Sequence, residues 1–193
     1  MTIENGTVVY DTVCKITPIV RQPAAVPSAI LFVAALAVAC DSRLPSPDEW
    51  MIPQPIRRQV ARELRTGYRV VAHLNPFYLR GNLNGDARSD YVLLIEEKSS
   101  CKIGVAVFLT KASGYTLHIL GAGKPLPSAS SIGDDFSFVD AWQIHEKGPV
   151  SPGATNAVPP RFSGDAVLVE KTESASGLIY WTGRTFGWYQ QGD

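Results

Sequence analysis

The fold is decided by Tyr91-Val-Leu-Leu-Ile-Glu-Glu97 and Ile103-Gly-Val-Ala-Val-Phe-Leu-Thr-Lys111. Both stretches are rich in β-branched and aromatic residues, a composition that favours strands over helices. Only Lys98-Ser-Ser-Cys-Lys102 separates them. A join this short forms a hairpin and makes its two strands antiparallel, because a parallel pair needs a long crossover.

The same pattern continues on both sides of this hairpin. The strands that we predict are 69–74, 77–79, 91–97, 103–111, 115–120, 136–146, 165–173, 177–182 and 186–190. Turns are predicted at Ser113-Gly114 and Gly183-Arg184, and longer loops at 121–135 and 148–164. These joins predict a meandering, mainly antiparallel sheet.

One helix is predicted ahead of the strands, from Pro55 to Thr66, before Gly67. Its apolar residues Ile56, Val60 and Leu64 recur at helical spacing and form one stripe. We therefore predict an α+β fold in which an N-terminal helix packs on the sheet. The single domain would span residues 55–193, and residues 41–54 would form a tether with a short helix.

The first forty residues predict export. The eleven apolar residues 29–39 are too few to cross a bilayer as a helix, but they suit the apolar core of a signal peptide. Leu36-Ala-Val-Ala-Cys40 resembles the lipobox of bacterial lipoproteins, in which the cysteine is diacylated and becomes the mature N-terminus. The resemblance implies a signal peptide over 1–40, a lipid on Cys40 and a periplasmic, membrane-anchored protein. A soluble, cleaved protein and a plain N-terminal membrane anchor are the alternatives.

The charge balance and the cysteine content limit which binding partners and disulfides we expect. The chain has 18 basic and 18 acidic residues, so no net field attracts nucleic acid, and we expect no nucleic-acid partner. The expected partners are the membrane, through the lipid, and an envelope protein or cell-wall component. With Cys14 in the signal peptide and Cys40 carrying lipid, Cys101 is left alone and no disulfide is expected within the domain.

One loop carries a recognisable motif. In Gly81-Asn-Leu-Asn-Gly-Asp-Ala-Arg-Ser-Asp90, alternate oxygen-bearing residues have the spacing of a calcium loop. The candidate metal ligands are the side chains of Asn82, Asn84, Asp86 and Asp90 and the backbone carbonyl of Arg88.

Together with the strand that follows it, this loop resembles the FG-GAP or VCBS-type repeat. The resemblance implies a loop that binds Ca²⁺. Two positions depart from the repeat: Asn82 replaces its first aspartate and Ala87 its glycine. The alternative is therefore a structural loop without a metal, in which the acids accept hydrogen bonds from backbone N–H groups and the asparagines form Asx turns. No other cofactor is expected.

Catalytic motifs are missing from the sequence: it contains no Gly-x-Ser-x-Gly, HExxH, P-loop or CxxC pattern. His73, His118 and His145 are isolated from one another. The aromatic residues that could form a sugar-binding surface are Trp142, Trp181, Trp188 and Tyr189. We expect a non-catalytic binding or interaction domain. A periplasmic hydrolase with a site assembled from scattered residues, and a Ca²⁺-stabilised structural module, stay open.

Overall fold

The computed structural model describes residues 44–126 and 132–192. The predicted signal peptide and the lipidation at Cys40 lie outside these residues. Within them the protein consists mostly of antiparallel β-structure with one short helix, so the predicted antiparallel architecture is confirmed. No helix among the described residues is long and apolar enough to span a bilayer.

The first sheet has five strands. They are β1 (Tyr68–Val70), β2 (Tyr78–Gly81), β3 (Asp90–Glu97), β4 (Ile103–Thr110) and β5 (Tyr115–Gly121). The order is β1-β3-β4-β5, with β2 also paired to β3, and every pairing is antiparallel. The predicted hairpin forms in register, with Leu94 opposite Val105.

The second sheet is a four-stranded meander. Its strands are β6 (Ala141–His145), β7 (Ala166–Lys171), β8 (Ala175–Trp181) and β9 (Phe186–Gly192), paired in chain order. The prediction of one sheet is therefore wrong, because no strand of this meander pairs with a strand of the first sheet. Hairpin signals fix which neighbouring strands pair, but they do not reveal where a long connection begins a new sheet.

The main core lies between the two sheets. One face of the central strands, including Val92 and Leu94 of β3, packs with Val167 and Ile179 of the second sheet. Successive side chains of a strand point to opposite faces, so the alternate residues of β3 form the other face of the first sheet. Nearly every residue of β3 and β4 is buried, as expected when both faces of a sheet are covered.

The predicted helix over 55–66 is present only in part. An α-helical turn, α1, spans Arg57–Gln59, and a π-helical turn over Val60–Leu64 continues it. The segment is short because two prolines precede it and the chain enters β1 at Tyr68. Its buried stripe of Ile56, Val60 and Leu64 packs with apolar residues of the first sheet. That packing stabilises a helix too short to be stable alone.

Residues 148–164 cover the outer face of the second sheet. Val150 and Phe162 from this loop pack with the buried residues Ala166, Leu178 and Tyr189. The Tyr189 hydroxyl anchors the loop by accepting a hydrogen bond from Gly153 N at 2.9 Å. The predicted long loop is therefore fixed to the sheet through Val150, Phe162 and Gly153.

Cys101 is disulfide-bonded, and the expectation that it stands alone is wrong. Cys101 lies in the turn between β3 and β4 with a positive φ of 59°, and its N–H donates to Glu97 O at 3.0 Å. The expectation failed because it assigned the other cysteines of the chain to different roles.

Candidate functional site

The loop between β2 and β3 folds through two Asx turns. Asn84 Oδ1 accepts a hydrogen bond from Asp86 N at 3.1 Å, and Asp86 Oδ1 accepts one from Arg88 N at 2.9 Å. Ala87 adopts a positive φ of 66°, the conformation for which the repeat uses glycine at this position. The chain therefore keeps the turn of the calcium-loop motif although it lacks that glycine.

Asp90 holds the base of this loop from a buried position. Its side chain is fully buried, and its Oδ2 and Oδ1 accept hydrogen bonds from Leu83 N at 2.9 Å and Thr110 N at 2.7 Å. Burial raises the pKa of Asp90 above its ordinary value, and the two N–H donors act in the opposite direction. The carboxylate thus joins the loop to the end of β4.

The five residues predicted as metal ligands lie close together in the loop, and contacts within the protein engage the side-chain oxygens of Asn84, Asp86 and Asp90. Calcium takes six to eight oxygen ligands. The Arg88 guanidinium binds Asp86 Oδ2 at 2.9 Å, and both Asp90 oxygens accept backbone hydrogen bonds. Asn82 Oδ1 is the side-chain oxygen of this set that is buried without a partner. No three His, Cys, Asp or Glu residues lie together in the described ranges, and the loop itself supplies two acids, Asp86 and Asp90.

The loop is also attached to the second sheet. Asp165, directly before β7, accepts a hydrogen bond from Asn82 N at 2.8 Å and donates its own N–H to Asn82 O at 2.7 Å. Ser163 Oγ donates to Asn84 O at 3.1 Å. Gly164 lies between these contacts, where a Cβ atom would come within 2.2 Å of Asn82 O. The loop therefore links the two sheets at one end of the core.

A cleft of about 500 Å³ opens beside this loop, and we call it the turn cleft. Its walls come from three turns and from β4, β5 and β8. The lining residues are Asn84, Asp86, Arg88, Leu109, Thr110, Lys111, Ala112, Thr116, His118, Trp181 and Arg184. The volume lies in the range of small-molecule sites.

The charge of the turn cleft is positive. Arg88, Lys111 and Arg184 line it together with one acid, Asp86, which pairs with Arg88. Neither Lys111 nor Arg184 forms an ion pair with any residue that the structure describes. Two exposed cations are thus available to a ligand.

The inner wall of the turn cleft is aromatic and neutral. The ring of His118 contacts that of Trp181 edge to face, with centroids 5.4 Å apart. Burial lowers the pKa of His118 below its ordinary value, and the positive charge of Lys111 lowers it further, which favours the neutral imidazole. Thr116, on the same face of β5, has a buried hydroxyl oxygen with no hydrogen-bond partner.

The structure does not bring the histidines together. His145 lies on β6 with its ring 6.1 Å from that of Phe162, outside the turn cleft that His118 lines. His73 follows β1, and burial lowers its pKa. Among the described residues, His118 and His145 therefore do not share one cleft, which the hypothesis of a scattered-residue hydrolase had suggested.

The four aromatic residues differ in burial: two are buried and two are half-buried. Trp142 and Tyr189 are buried, and the Trp142 indole N–H donates to Pro76 O at 2.6 Å. Trp188 lies against Gly177, where a Cβ atom would come within 2.1 Å of its ring. Only Trp181 among these four lines the turn cleft.

Lys111, Thr116 and Arg184 were missed as candidate site residues by reasoning from sequence. Lys111 ends the strand predicted over 103–111 and Arg184 lies in the predicted turn Gly183-Arg184, so a cation at or beside each turn was the available signal. It could not be used, because nothing local shows that the two turns approach each other.

Comparisons of the chain with protein-family models, with curated proteins and with solved structures find no match.

Proposed function

We propose that this chain is an exported, non-catalytic binding domain of the bacterial cell envelope and that the turn cleft is its binding site. The observation that carries the proposal is the convergence of unpaired Lys111 and Arg184, the Thr116 hydroxyl and the Trp181 ring in one cleft. Such a mixture of a few polar groups with an aromatic wall is typical of sites that bind small ligands or parts of polymers.

Two observations support export. The first is the apolar run that ends at Cys40. The second is the disulfide on Cys101, because disulfides persist in oxidising compartments such as the periplasm. We propose that a lipid on Cys40 holds the domain at the membrane, since acyl chains add about 0.8 kcal/mol of membrane affinity per buried CH₂. Because the Cys40 sulfur can carry either a lipid or a disulfide, this proposal requires that Cys101 pairs with a sulfur other than that of Cys40.

Intact mass under non-reducing conditions tests the lipid. We expect the protein from the native membrane to begin at Cys40 and to carry acyl mass. A sulfur atom in a disulfide cannot also carry the lipid, so the same spectrum reports on the partner of Cys101. If the protein begins at Cys40, carries no acyl mass and has Cys40 joined to Cys101 by a disulfide, the proposed lipid is wrong. The domain is then a released envelope protein.

Sedimentation with insoluble cell-wall sacculi tests the binding function. We expect the wild-type protein to sediment with sacculi of the producing bacterium and the Lys111→Ala/Arg184→Ala variant to stay in solution, because the variant loses both unpaired cations of the cleft. The matched control is Lys147→Ala/Arg161→Ala, which removes the same charge from exposed positions outside the cleft. The proposal is contradicted if the wild-type protein stays in solution, or if the wild type and both variants sediment equally.

A further inference from the structure

We infer that the ligand of the turn cleft is an acidic sugar unit, a pyranose ring that carries a carboxylate. This inference rests on the proposed function and names its ligand class. It starts from the positions of the charges. Lys111 follows β4, and Arg184 lies in the turn between β8 and β9, so the two cations come from different sheets and face one cleft.

The available positive charge selects an anion. The Arg88 guanidinium is already engaged by Asp86, at 2.9 Å, so the charge open to a ligand belongs to Lys111 and Arg184. A lysine ammonium and an arginine guanidinium both form strong, charge-assisted hydrogen bonds with a carboxylate. Burial and the charge of Lys111 both lower the pKa of His118, which favours its neutral form. A single carboxylate placed between Lys111 and Arg184 can therefore pair with both cations.

The remaining wall favours a hydroxylated ring over a bare anion. Trp181 is half-buried in the cleft wall, and its indole offers an apolar surface of the kind on which a sugar ring stacks. Thr116 Oγ1 has no hydrogen-bond partner, and a buried hydroxyl without a partner is unfavourable. A hydroxyl group of the ligand can form a hydrogen bond with Thr116 Oγ1. An inorganic anion held by Lys111 and Arg184 would make no stacking contact with Trp181. Asn84 adds a neutral polar group at the rim.

Calorimetric titration of the full-length mature protein tests this inference with three probes: glucuronate, glucose and inorganic phosphate. We expect glucuronate to bind about tenfold more tightly than glucose, because only glucuronate pairs with the two cations. We expect glucuronate to shift the NMR signal of the Trp181 indole N–H and phosphate to leave it in place. Glucuronate affinity should fall as salt concentration rises, since the cations are exposed.

Two variants locate the binding. Lys111→Ala/Arg184→Ala should weaken glucuronate binding about tenfold or more and leave the weak glucose binding unchanged. Trp181→Phe should weaken the binding of both sugars. The indole N–H signal that is missing from its NMR spectrum is that of Trp181. The Lys147→Ala/Arg161→Ala control should bind as the wild type does. Equal melting temperatures show that the variants are folded.

Each other result overturns the ligand class. If glucose binds as tightly as glucuronate, the cleft does not recognise the carboxylate. If phosphate binds as tightly as glucuronate and shifts the indole signal equally, the cleft does not recognise the sugar ring. If no probe binds while sedimentation with sacculi still depends on Lys111 and Arg184, the ligand class is wrong and the binding function stands. If no probe binds and sedimentation is also absent, the proposed function itself fails.

Discussion

Replacing Asp90 by alanine is expected to lower the free energy of unfolding by about 3 to 5 kcal/mol. The fully buried carboxylate accepts hydrogen bonds from Leu83 N and Thr110 N, at 2.9 and 2.7 Å. Alanine leaves both N–H groups without this acceptor, and a buried donor without a partner costs about 1 to 3 kcal/mol. Urea denaturation at pH 7, monitored by tryptophan fluorescence, measures the change.

Two further variants separate this role of Asp90 from metal binding. Asp86→Ala removes a partly exposed carboxylate of the same loop and should cost about 1 kcal/mol or less. Asp90→Asn keeps one acceptor oxygen but turns an NH₂ group toward the other N–H donor, so its loss should lie between the two alanine variants. The hydrogen-bonding role would be refuted if Asp86→Ala cost as much as Asp90→Ala and if a chelator lowered the wild-type melting temperature. That pair of results would identify a calcium site.

Phe136→Ala is expected to lower the free energy of unfolding by about 3 to 5 kcal/mol, the usual cost of removing a buried aromatic ring. Phe136 lies on the connection between the two sheets and is fully buried in the core that they share. Its ring lies so close to Gly121 that a Cβ there would be 3.0 Å from Phe136 Cδ1. Removing the ring therefore leaves a cavity that the sheets cannot easily close.

Phe138 provides the matched control, because it is a phenylalanine of the same connection that is only partly buried. Phe138→Ala should cost about 1 kcal/mol, since less apolar surface returns to water. Thermal and urea unfolding of both variants measure the difference. Equal losses for the two would mean that Phe136 does not hold the central position described above.

The strands were predictable because their signals are local. All nine predicted strands are present, and the turns at Ser113-Gly114 and Gly183-Arg184 form where glycine permits a positive φ of 81° and 94°. The division into two sheets was not predictable from these signals, since it depends on packing between distant strands. A clue was present in β3, whose uninterrupted apolar run indicates a sheet that is covered on both faces.

The candidate site was predictable only in part. The loop over 82–90 is a local motif, and its Asx turns follow from the positions of Asn84 and Asp86. Lys111 and Arg184 meet only because the two sheets stack, and they lie more than seventy positions apart in the chain. No pattern within a short window of sequence reports such an encounter.

The cleft draws its charged residues from turns, and the stability of the protein comes from strands. A substitution at Lys111 or Arg184 changes no buried side chain, because both are exposed. Effects on ligand choice and on folding therefore add independently. If the turn cleft binds a ligand as proposed, substitutions at Lys111 and Arg184 can change what it binds without compensating changes inside the protein.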